Sequence, residues 1–342
     1  MLYLVMRQWI NSISATFLFF GKNKPHASGK RWCTLNPYMT RLDSHLGALI
    51  VSLLLWGTSF PALKIALNTN PPIAIMFCRY LVSFAMMLAI FLYAYRQEWR
   101  TLIRFKAVFL LGIFNWAGSI LQFVGIAKTT STKSAVLSQL MILVVPLFAY
   151  YILGERLNIR KIAAIILSIV GAIALSTKLD FSHLLSRDTV MGDAFVISAV
   201  IFWALFIVYT RQFTMLLSTF LIVFANQAAT FASSLGAAAL TGQWRIDTPG
   251  LLLAIYLAIF TTIIPTLLYT YSLKKIDATT STILGPVELI SALIFSFLLL
   301  NEHQTLSLIE IIGALLILIS TYVALEKRPD PSAVLNKIVE HD

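Results

Sequence analysis

Hydrophobic positions in this chain do not alternate; they come in long continuous runs separated by short polar breaks. A bilayer core about 30 Å thick needs roughly 20 apolar residues per helix. Ten runs fit that scale, at 46–67, 72–95, 107–127, 134–153, 161–177, 191–210, 214–240, 250–273, 279–300 and 306–325. The breaks carry turn and charge signals, among them Asn68-Thr69-Asn70-Pro71-Pro72, Gly154-Glu155-Arg156, Thr248-Pro249-Gly250 and Asn301-Glu302-His303. No run shows the alternation of a membrane-barrel strand. The pattern predicts an all-α polytopic membrane protein with ten transmembrane helices, whose longest connection is a linker at 178–190.

Composition agrees and narrows the function classes. The chain is 58% hydrophobic and 12% charged, with a mean hydropathy of +0.83. A soluble domain is about 45–50% apolar and about 25% charged, so a soluble enzyme, a disordered chain and a nucleic-acid-binding domain are excluded. The net charge of +11 is a topology signal. Of the 26 Lys and Arg, only Lys128, Lys133, Lys178, Arg187 and Arg245 fall, by parity, on the side opposite the termini. Lys64 and Arg79 lie inside runs, and every other cation falls on the terminus side. Cations are retained in the cytoplasm, so both termini are expected there, with 326–342 as a cytoplasmic tail and no nucleic-acid partner.

Residues 1–45 form an N-terminal extension of a different kind. Met1–Phe20 is apolar but interrupted by Arg7, Gln8 and Asn11, and no small-residue cleavage site follows. Either translation starts at Met39 or the segment is a loosely attached amphipathic stretch; an eleventh helix is disfavoured.

Sliding the chain on itself by 147 residues aligns 46–177 with 191–325, pairing Trp56 with Trp203, Phe77 with Phe224, Lys128 with Lys275, Phe148 with Phe295 and Glu155 with Glu302. Each half holds five runs, and an odd number makes the second half enter the membrane from the other side. Inverted repeats of this kind place a substrate site near the midplane and let the halves rock about it.

With Trp56-Gly57-Thr58-Ser59-Phe60 and Arg79 in the first half, Gly154-Glu155-Arg156 with Gly171, and Asn301-Glu302 with Gly313 in the second, the chain resembles the drug/metabolite transporter superfamily, EamA type. The resemblance spans 46–325 and implies two inverted five-helix EamA repeats, the transport of small metabolites and a bacterial inner-membrane location. It departs from the family pattern at Asn301, where a Gly precedes the Glu, and at Asn226, which stands where Arg79 stands in the first half.

Ionisable groups at membrane depth are rare and functional by default. Arg79 shares a helical face with Met76, Ser83 and Met86, and its guanidinium suits a substrate carboxylate or a structural partner such as Glu288. Glu288 is the most deeply placed acid, a candidate proton carrier or a glutamic acid kept protonated by a neighbouring helix. Lys64 lies near a span end, where it either snorkels to the interface or joins the proton coupling. Two polar rows, Asn115/Ser119/Gln122 and Asn226/Thr230/Ser233, either line a cavity or bind helices together. Trp56, Trp203 and Tyr269 are candidates to floor the site, and Pro61, Pro146, Pro265 and Pro286 interrupt their spans.

Other chemistries find no footing. Gly29-Lys30-Arg31 lacks the Ser or Thr of a phosphate-binding loop. The five histidines sit outside spans or at their edges, and no metal-ligand spacing occurs. No enzyme activity, cofactor or metal is expected. The expectation is a secondary carrier of small polar or amphipathic, amino-acid-like solutes, working by alternating access, with export the direction the resemblance implies and proton coupling the role suggested for Glu288. A scaffold or lipid-handling protein is the competing class, and membrane lipids are partners under either. A homodimer is left open.

Overall fold

The computed structural model describes residues 37–128, 134, 137–177, 190–300 and 308–325, and everything below concerns these. All regular structure among them is helical: α1 Pro37–Gly57, α2 Ser59–Leu67, α3 Pro72–Ile90, α4 Trp99–Arg104, α5 Leu110–Lys128, α6 Met141–Leu153, α7 Ile159–Thr177, α8 Val190–Phe213, α9 Thr219–Thr241, α10 Thr248–Ala258, α11 Ile264–Ser272, α12 Ala278–Ile283, α13 Val287–Leu300 and α14 Leu308–Ala324. The extension 1–36, most of the linker and the tail beyond 325 lie outside the described residues, as does Glu302.

Six helical stretches are long and apolar enough to cross a membrane: Ser44–Leu67, Pro72–Arg104, Lys106–Ile126, Val190–Phe213, Thr219–Thr241 and Thr248–Ser272. Met141–Leu153 and Ile311–Ala324 are shorter apolar helices. Of the ten expected spans, six are long and apolar enough by themselves, and two of the others are broken within the run. The fourth run turns at Gln139–Leu140 before α6, and the ninth is split between α12 and α13 at Leu284–Pro286. Pro286 has no N–H to continue a helical ladder, and the chain passes it on tight bonds from Gly285 N to Thr282 O (2.9 Å) and Glu288 N to Gly285 O (3.0 Å). The two breaks fall at counterpart positions, because Gln139 and Pro286 are 147 residues apart.

Packing respects the same offset. The interfaces α5–α8, α6–α8 and α5–α9 have as counterparts α11–α1, α13–α1 and α10–α3, while α3–α9 and α7–α14 join an element to its own counterpart. Along α3 and α9 the aromatic pairs Phe77–Phe231 and Phe84–Phe224 rise on one helix as they fall on the other, and Tyr95–Phe220 just beyond α3 continues the order. These counterpart helices therefore run antiparallel. Gly171 makes the α7–α14 interface close, since a Cβ there would meet the Gly313 carbonyl at 2.8 Å.

The Gly154-Glu155 pair acts as a terminator and a clasp. Gly154, at φ +69°, ends α6 in the left-handed region that a side chain would strain. Glu155 then accepts from Ala278 N (2.9 Å), Thr279 N (3.0 Å) and Thr279 Oγ1 (2.8 Å), capping the otherwise unpaired donors at the start of α12. Beside it, Lys161 Nζ sits 3.0 Å from Asp277. Burial alone would raise the Asp277 carboxyl, but Lys161 and the Thr280 donors outweigh it and hold the group below the ordinary aspartate range. The Lys161–Asp277 pair is thus intact at neutral pH and is lost as pH falls through that lowered value. Glu155→Ala is expected to destabilise the protein by about 1–2 kcal/mol, read as a lower Tm in detergent; an unchanged Tm would deny Glu155 this role.

Candidate substrate cavity

A cavity of about 150 Å³ opens between the two halves, comparable to one that holds a benzene. Its walls come in counterpart pairs at the 147-residue offset: Trp56 and Trp203, Asn115 and Thr262, Ser119 and Thr266, Gln122 and Tyr269, Met141 and Glu288. The cavity therefore sits on the pseudo-two-fold relation between the halves. Its charges break that relation, because Arg79 faces no charge at Asn226 and Glu288 none at Met141.

Arg79 is held by a local defect in the eighth apolar run. Pro265 cannot donate to the carbonyl one turn back, and a π turn over Ile259–Ile263 precedes α11. The freed Thr261 carbonyl accepts from Arg79 Nη2 at 3.1 Å, and Thr262 Oγ1 accepts from Arg79 Nε at 2.6 Å. Thr261 and Thr262 hydroxyls in turn donate to Leu257 O, each at 2.9 Å. The guanidinium also lies 5.6 Å from the Tyr80 ring centre. It makes no ion pair among the described residues, so pairing with Glu288 is not how its charge is met.

Glu288 stands in the first turn of α13, where a negative charge meets the positive end of the helix dipole. Its side chain lines the cavity with no hydrogen-bond partner among the described residues. The Trp56-Gly57-Thr58 stretch sets its position. Gly57 lets α13 press against α1, since a Cβ there would collide with the Glu288 carbonyl and the Ser291 side chain. Ser291 Oγ donates to Leu54 O at 2.6 Å across the same contact. Thr58, at the break between α1 and α2, accepts from Tyr256 at 2.7 Å. Gly57→Val is expected to cost about 1–3 kcal/mol of overpacking and to displace Glu288, lowering both Tm and solute binding; full retention of both would refute the close-approach argument.

The aromatic floor is tilted rather than stacked: Trp56 and Tyr269 centroids are 4.9 Å apart at 47°. Tyr269 shares a 3.0 Å hydrogen bond with Ser281, and the Trp203 indole occupies the space a Cβ at Gly118 would need. Asn115 donates to Tyr80 (3.2 Å), and Gln122 lines the wall one face-turn further along α5.

Two of the sequence candidates lie elsewhere. Asn226 is 1% exposed and does not line the cavity. Its row instead joins helices, with Thr230 Oγ1 donating to Gly112 O at 3.1 Å where α5 and α9 meet most closely. Lys64 is exposed at the end of α2, outside the cavity. Thr262 and Thr266 were not among the candidates, although Thr261-Thr262 set just before Pro265 is a legible signal for a polar helix defect.

A bundle of apolar helices encloses a cavity lined by a guanidinium and a carboxyl that make no ion pair with each other, an arrangement that suits a membrane transport protein. The EamA-like transporter family model matches residues 44–177 and again 190–325, and the chain belongs to that family. It is 24% identical over 284 residues to an uncharacterized transporter of Archaeoglobus fulgidus, covering 83% of this chain and 86% of that one. It is 23% identical over 300 residues to the uncharacterized transporter YetK of Bacillus subtilis, covering 84% and 88%. A crystal structure of 20% sequence identity matches at a TM-score of 0.66 over 83% of this chain and 96% of its own, which bears on the fold alone.

Proposed function

We propose that this chain is a ten-span secondary carrier of two inverted five-helix repeats, lying in the cell's inner membrane with both termini cytoplasmic. Its solute is a small zwitterion of the amino-acid type, with Arg79 for the carboxylate, Glu288 for the ammonium group or a coupling proton, and the Trp56–Tyr269 floor for an apolar side chain. Export by alternating access is the direction, and substrate and proton share Glu288.

The observation that carries this is the cavity itself. Its walls are drawn in pairs from both halves, yet it holds one guanidinium and one carboxyl that make no ion pair with each other. A dipolar solute meets both charges at once, whereas an apolar ligand would leave two charges at membrane depth without partners. The antiparallel course of α3 and α9 supports the inversion, and the excess of cations on the terminus side supports the orientation.

The test is counterflow in proteoliposomes loaded with a neutral amino-acid mixture. Saturable exchange that monoamines and monocarboxylates compete for only weakly is the expected result. No exchange of any zwitterion under any imposed pH gradient would overturn the proposal.

A further inference from the structure

The cavity does not extend equally toward its two ends. Leu63, Phe123 and Ile126 line it at one end, whereas their counterparts Thr210, Thr270 and Leu273 do not. At the closed end Arg211, in the last turn of α8, donates to the carbonyl of Leu273, the C-cap of α11. Thr214 closes around the same group, donating to Arg211 O at 2.6 Å and lying 3.4 Å from Leu273 O. Unpaired carbonyls at a helix C-terminus, together with the negative end of its dipole, make a natural seat for a cation.

The counterpart of Arg211 at the 147-residue offset is Lys64, and that of Leu273 is Ile126, in the last turns of α5. Both places carry a base. Lys64 is exposed and makes no hydrogen bond or ion pair among the described residues. Other bonds gather at the closed end: Lys161 to Asp277, Glu155 to α12, and the His45 ring stacked 4.1 Å from that of Tyr271. At the open end, Asn70 and Asp247 bond at 2.8 and 2.9 Å, but they tie α10 to the loop after α2, which already packs on α10.

We infer that Arg211 and Lys64 are alternating end plugs. Each caps the C-terminal carbonyls of a helix when its own end of the cavity is shut: Arg211 on α11 in the conformation seen here, Lys64 on α5 when the other end shuts. Lys64 is therefore a gate residue and takes no part in proton transfer. The inference rests on the alternating-access reading, and its test separates the two.

In a chain with Cys33 and Cys78 replaced by Ser, Phe123→Cys reports the open end and Thr270→Cys the closed one, through labelling by an impermeant maleimide from each side of sealed vesicles. Arg211→Gln loosens the closed end, so Phe123→Cys labelling falls and Thr270→Cys labelling rises, changing their ratio about three- to tenfold. Lys64→Gln moves the ratio the opposite way by a similar factor, and the double variant returns it toward the starting value. Arg211→Lys, which keeps the charge, shifts it least. Parallel shifts from Lys64→Gln and Arg211→Gln, or no shift from Lys64→Gln, overturn the inference; Lys64 is at the surface, so that variant folds even where Arg211→Gln does not. Counterflow on the same vesicles distinguishes the failures. Opposed shifts without counterflow sink the carrier and leave the gate, and counterflow with parallel shifts sinks the gate alone.

Discussion

Arg79→Lys weakens solute binding about thirtyfold or more, although it keeps the charge. The guanidinium is fixed at two points, by Thr262 Oγ1 on Nε and by the Thr261 carbonyl on Nη2. Those bonds hold the plane of the group, and Arg79 lines the cavity with no hydrogen bond from Nη1 among the described residues. An ammonium has no planar fork to divide between protein and ligand. Truncating one side of a desolvated, hydrogen-bonded charge pair costs about 2–5 kcal/mol, which sets the expected loss. Arg79→Ala should lose at least as much. Thr262→Val should lose less than either, because the guanidinium stays and the Thr261 carbonyl still holds Nη2. Binding isotherms in detergent check all three, with Tm followed in parallel to separate binding from folding. Near-normal affinity in Arg79→Lys would remove Arg79 from the substrate site.

Glu288→Gln uncouples transport from protons while sparing exchange. The carboxyl lines the cavity without a protein partner among the described residues, so it is free to bind solute or proton in turn. Glutamine copies the shape of the protonated acid but can neither release nor take up a proton. A gradient of one pH unit is worth about 1.4 kcal/mol, or tenfold accumulation. The unaltered protein should convert such a gradient into accumulation, and Glu288→Gln should convert none of it, with solute counterflow persisting at a reduced rate. Accumulation that still follows pH in Glu288→Gln would end the coupling role.

Much of this fold was legible from pattern. Runs of apolar residues marked the helices because a bilayer sets their length and forbids unpaired backbone within it. The breaks inside runs were less legible. Pro286 announced the split of the ninth run, but nothing comparable stands at Gln139–Leu140, and only its place opposite Pro286 in the repeat accounts for it. The cavity was partly readable. The Asn115/Ser119/Gln122 row faces it, while the equally polar Asn226/Thr230/Ser233 row serves helix contacts. Helical spacing tells which residues share a face and leaves open what that face meets.

By itself, the order of residues determined that this protein is a membrane-embedded helical bundle, that its two halves repeat, and which few charges must be accommodated at depth. Those are consequences of local hydrophobicity and of chain periodicity. The tertiary structure alone decided that Arg79 is anchored by a proline-freed carbonyl 182 residues further along the chain rather than by Glu288, that Glu288 has no hydrogen-bond partner among the described residues, and that the cavity is lined unequally toward its two ends. Each of these depends on which carbonyls and hydroxyls of other helices arrive beside a given side chain, and that is settled by packing between helices, to which the apolar pattern is blind.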